Sequence, residues 1–63
     1  METKYQRERK EREGRIYDEY YTLIADPNNT RMGVMEYMLD KHGIVSPSTI
    51  YAMLRRVEAR RNG

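Results

Sequence analysis

Two short breaks decide what this chain can become. At Asp26-Pro27-Asn28-Asn29 a helix cannot continue, because Pro27 lacks a backbone donor and pushes Asp26 toward an extended conformation. Gly43, followed by Ser46-Pro47, marks the second break: a glycine suits a helix C-terminus and proline suits a first helical turn. Around these breaks the apolar residues recur at helical spacing, and no stretch alternates with the period of a strand. The 63 residues therefore predict an all-α fold, a small three-helix domain.

The first helix is read from residues 15–25, where Ile16, Tyr20, Leu23 and Ile24 fall on one face and Tyr17 and Tyr21 form a second stripe beside it. The second is Arg31 to His42, with Thr30 as its N-cap and Asn29 as the alternative. Val34 or Met35, Met38 and Leu39 form its inner face, and Gly43 closes it with a positive φ. The third, residues 46–61, opens at Ser46-Pro47 and buries Ile50, Leu54 and Val57, with Met53 beside them. Met32, Met35, Met38 and Met53 are expected to help fill the core; methionine adapts to gaps but specifies packing poorly.

Residues 1–14 read as a charged N-terminal extension or arm, and residues 15–63 as the trihelical domain. Opposite charges stand at helical spacing in Arg7–Glu11, Glu8–Arg12, Arg9–Glu13 and Glu11–Arg15, each pair contributing about 0.2–0.5 kcal/mol. Gly14 costs about 1 kcal/mol in a helix and is a candidate end point for this run. Net charge is only +2, but it is unevenly spread: +2 over residues 1–15, −3 over 16–45 and +3 over 46–63. Basic ends and an acidic middle suit a polyanion touched by the ends.

Several function classes are not expected. With no cysteine and a single histidine, His42, there is no thiolate metal site and no metal pair. Glycine-rich phosphate loops and nucleophile–base constellations are missing, so neither an enzyme nor a cofactor is expected. Asp18, Glu19, Glu36 and Asp40 read as solvated faces. The N-terminus has no apolar stretch behind its basic residues, which predicts no secretory signal and a cytoplasmic protein, nucleoid-associated if it binds DNA. No small-molecule substrate and no membrane partner are expected.

Residues 42–56, HGIVSPSTIYAMLRR, carry the functional signal. A helix ending in glycine, a short turn and a capped helix make the pattern of a helix-turn-helix. The start of the third helix presents the small and polar Ser48, Tyr51 and Ala52, and Arg55 and Arg56 follow. Such a helix enters the major groove with its N-terminal residues nearest the base edges, and arginines further on reach phosphate or guanine. At the start of the second helix, Thr30 and Arg31 stand where backbone N–H groups can hold a phosphate.

The same stretch resembles the turn and recognition helix of helix-turn-helix proteins of the resolvase/invertase, transposase and small phage-regulator kind. Gly43, Ile44, Ser46, Ser48, Thr49, Ile50, Tyr51 and Leu54 carry the resemblance, which spans the second and third helices. It implies a DNA-binding role, as a phage or mobile-element regulator. It also implies that Ser48, Tyr51, Ala52 and Arg55 face DNA while Ile44, Ile50 and Leu54 are core. Two departures bear on the angle between the helices: Val45 lengthens the turn by a residue, and Leu39 stands where a small alanine is common. One such unit touches few bases, so a homodimer or a protein partner is expected. The alternative is a protein-binding trihelical module, a small inhibitor or assembly component. It would act through a tyrosine-rich surface at Tyr17, Tyr21 and Tyr37, since tyrosine tolerates half-burial and is enriched at interfaces.

Overall fold

The breaks fall where the sequence puts them. The computed structural model describes residues 1–63 and contains three α-helices and no strand: α1 Lys4–Ile24, α2 Arg31–His42 and α3 Pro47–Asn62. None is long and apolar enough to cross a membrane.

Side chains and turns satisfy the helix ends that backbone bonding leaves open. Thr30 Oγ1 accepts from the Gly33 N–H at 3.0 Å and starts α2. Asn29, the alternative cap, instead donates from Nδ2 to the Leu23 carbonyl at 3.0 Å and so closes α1. Gly43 is left-handed at φ 64°, and its N–H reaches the Asp40 carbonyl while the Ile44 N–H reaches that of Leu39. This is the paired-bond glycine stop, and its two apolar flanks, Leu39 and Ile44, both pack against the core. Val45, the added turn residue, points to solvent and displaces nothing. At α3, Ser46 Oγ accepts from the Ser48 N–H at 3.3 Å and Pro47 occupies the first turn.

Ile16, Met38 and Ile50, one from each helix, are wholly buried and form the centre of the core. Tyr20, Val34, Met35 and Leu54 surround them, Leu23, Ile24, Leu39 and Met53 complete the layer half-buried, and Val57 is buried further along α3. Each such burial contributes about 1.5–3 kcal/mol, against the ordering entropy of so short a chain. Met32 departs from expectation: it is 75% exposed, in the first turn of α2.

Gly14 does not end α1, which runs through it without interruption. Residues 1–12 are exposed along their length, and at the start Thr3 and Gln6 form a reciprocal capping box. Of the ion pairs expected along this stretch, only Arg9–Glu13 is present, at 3.6 Å. The larger electrostatic contacts run between helices. Glu19 on α1 binds Lys41 and His42 in the last turn of α2, the His42 Nε2 lying 2.9 Å away. Glu13 and Asp18 on α1 bind arginines of α3. Of the acidic middle, Asp18 and Glu19 are thus paired, while Glu13 joins the two basic ends of the sequence.

Candidate functional site

The four arginines of α3 divide by the direction they face. Arg61 forks onto Asp18 at 2.8 and 3.3 Å and lies over the Tyr17 ring, 4.8 Å from its centroid. Arg56 donates twice to Glu13 Oε2, at 3.1 and 2.6 Å, and Arg60 donates to Oε1 at 3.2 Å. Arg55 alone has no ion pair and no side-chain hydrogen bond within the chain. Arg56 is therefore not a neighbour of Arg55 on one DNA-facing side, as the sequence suggested. A helix turns about 100° per residue, and the second arginine is carried round to α1.

Arg55 belongs to an open groove of about 430 Å³ between α3 and α1, lined by Tyr21, Ser48, Tyr51, Leu54, Arg55 and Glu58. Three residues expected at DNA, Ser48, Tyr51 and Arg55, meet there, and Tyr51 is about half exposed. Ala52, expected with them, is half-buried. Glu58 places one negative charge on the same strip.

Burial raises the Tyr20 phenol above its ordinary value; the Tyr51 phenol adds to the rise, and the Arg31 guanidinium opposes it. Thr30 is exposed, but its hydroxyl is committed to the α2 cap.

Of the three tyrosines expected to form one surface, Tyr21 and Tyr37 are divided between two grooves. Tyr17 is half-buried beneath Arg61, and its ring stands 4.7 Å from that of Tyr21. Tyr21 lines the α3 groove. Tyr37 is half exposed in a different groove of about 400 Å³, with Leu23, Asn29, Thr30 and Val34, and Lys41 lies near its ring. Tyrosines 21 and 37 therefore serve two separate surfaces.

Sequence reasoning missed Glu13, the one buried charged residue. Burial pushes its carboxyl up, but hydrogen bonds and charge from Arg56 and Arg60 outweigh this and hold it below its ordinary 4.5. The signal was available: Glu13, Ile16 and Tyr20 share one helical face, and Arg56 and Arg60 stand one turn apart on another helix. No His, Cys, Asp or Glu group is placed to hold a metal ion, and no buried side-chain polar atom lacks a partner. Compared with protein-family models, curated proteins and solved structures, the chain matches none of them.

Proposed function

We propose that this protein binds double-stranded DNA through a helix-turn-helix made by α2 and α3, with the N-terminal half of α3 in the major groove. The observation that carries the reading is the sorting of the α3 arginines. Arg56, Arg60 and Arg61 are held by α1, while Arg55 is left free beside Ser48 and Tyr51. A long free guanidinium one to two turns from a polar helix start is what major-groove readout uses. The left-handed Gly43 stop and the Ser46-Pro47 start support the same reading, as does the resemblance of Gly43 to Leu54 to recognition helices. Arg31, exposed at the first position of α2, is suited to a phosphate contact.

A lone domain of this size reads too few bases for a unique site, so two copies or a larger assembly would act on one operator. A regulator carried by a phage or mobile element is the role that size and resemblance suggest.

Fluorescence anisotropy with a random-sequence duplex, repeated across salt, tests the reading. We expect log affinity to fall with log salt with a slope of about −3 to −5, one phosphate contact giving about −0.9. Arg55→Ala is expected to weaken binding to a selected site by about 1–3 kcal/mol. Absence of binding by the wild-type chain at about 50 mM salt and tens of micromolar protein would remove the reading, since non-specific DNA binding falls well inside that range.

A further inference from the structure

On the opposite flank of α3, the two basic ends of the chain come together. An open groove of about 440 Å³ is lined by Gln6, Arg9 and Lys10 of α1 and by Arg56 and Arg60 of α3, with Glu13 at its base and Glu2 at its edge. Four cations stand there against two carboxylates, a net of +2. The charges are held in place. Glu13 accepts three hydrogen bonds from Arg56 and Arg60 and lies 3.6 Å from Arg9. The guanidinium groups still face water, with Arg56 side-chain exposure at 42% and Arg60 at 34%. A guanidinium has more N–H donors than these bonds use, so both retain donors for a further acceptor. Anchoring one edge of each guanidinium also removes rotamer freedom before any ligand arrives, which lowers the ordering cost of binding.

We propose that this α1–α3 junction is a phosphate-binding site, in which Arg56 and Arg60 are preset by Glu13 and Arg9 and Lys10 close from α1. The chemistry is that of a phosphate oxyanion, from a DNA backbone or from free phosphate. Only the first source rests on the DNA-binding reading. On that source the site lies on the α3 flank away from the Arg55 groove, so it contributes affinity and register without reading bases.

The test compares three chains: wild type, Arg9→Ala/Lys10→Ala, and Lys4→Ala/Arg7→Ala, which removes the same charge from α1 outside the groove. Backbone amide NMR is followed during titration with sodium phosphate against sodium chloride at matched ionic strength. Duplex anisotropy is measured across salt on the same chains. The site predicts saturable phosphate shifts centred on residues 6–13 and 56–60 in wild type and Lys4→Ala/Arg7→Ala, lost in Arg9→Ala/Lys10→Ala. If DNA supplies the phosphate, the salt slope of Arg9→Ala/Lys10→Ala is shallower by about 1–2 and that of the control less so. Phosphate shifts with unchanged DNA binding assign the site to free phosphate; a slope change without them assigns it to the DNA backbone. Neither effect, or equal losses in both variants, overturns the site. A wild-type chain that shows the phosphate shifts but binds no DNA keeps the site and removes the DNA reading.

Discussion

Glu13 shows how much one side chain decides here. It joins α1 to α3 and is the one charged group taken into the interior. Its carboxyl is held below 4.5 in the fold, so the folded state binds its proton less readily than the unfolded chain does. Stability from this group is therefore complete above the unfolded value and is lost as pH falls through the depressed one. Glu19, held low by Lys41 and His42, adds in the same direction. Acid should thus loosen α1 from both neighbours. For Glu13→Gln we expect a loss of about 1–3 kcal/mol at neutral pH, because Arg56 and Arg60 lose a charged acceptor. The gap to wild type should shrink only as pH falls below 4.5 and through the depressed pKa of the wild-type carboxyl, where that carboxyl takes up its proton. Urea unfolding at several pH values measures this; a gap that stayed constant into acid would show that Glu13 acts by packing and not by charge.

At the scale of elements, α2 and α3 were legible because local chemistry writes their ends. Thr30, Gly43, Ser46 and Pro47 act on backbone groups within a turn of themselves. The beginning of α1 was also written locally, in the Thr3 and Gln6 box, but the run of charges obscured it. Its continuity was not legible. Gly14 is a weak helix former, and what fixes the helix there is Glu13, whose arginine partners lie more than 40 residues along the chain. The candidate site divides in the same way. The groove around Arg55 follows from the face pattern of α3, whereas the diversion of Arg56 depends on where α1 crosses. Because α1 is continuous, Gly14 is a cost with no conformational purpose. A Cβ at that position would meet only the Arg61 guanidinium, at an ordinary 3.6 Å. Gly14→Ala should therefore stabilise the protein by about 0.5–1 kcal/mol. In a domain this small that raises the melting temperature by about 2–8 °C, read by circular dichroism. A lowered melting temperature would mean that α1 bends or opens at Gly14.

The whole molecule is a slab, 43 × 25 × 16 Å, in which part of the charge is paired within the fold. Arg9, Lys10, Lys41, Arg56, Arg60 and Arg61, half of the twelve cations, are in ion pairs. With a net charge of only +2, long-range attraction to a polyanion is weak, and individual charges on the Arg55 groove carry unusual weight. Glu58 is the one acidic residue there, and it makes no ion pair. If DNA occupies this groove, the Glu58 carboxylate opposes the nearest phosphates. Glu58→Gln, which keeps the size and removes the charge, should then tighten random-duplex binding a few-fold at low salt, the gain fading as salt screens it. Tyr37→Ser on the separate α2 groove should leave DNA binding unchanged. The protein-binding alternative makes the reverse assignment: Glu58→Gln would be silent, and Tyr37→Ser would release a partner. Anisotropy on these two variants separates the readings, because neither residue is in the core and each lines one groove alone.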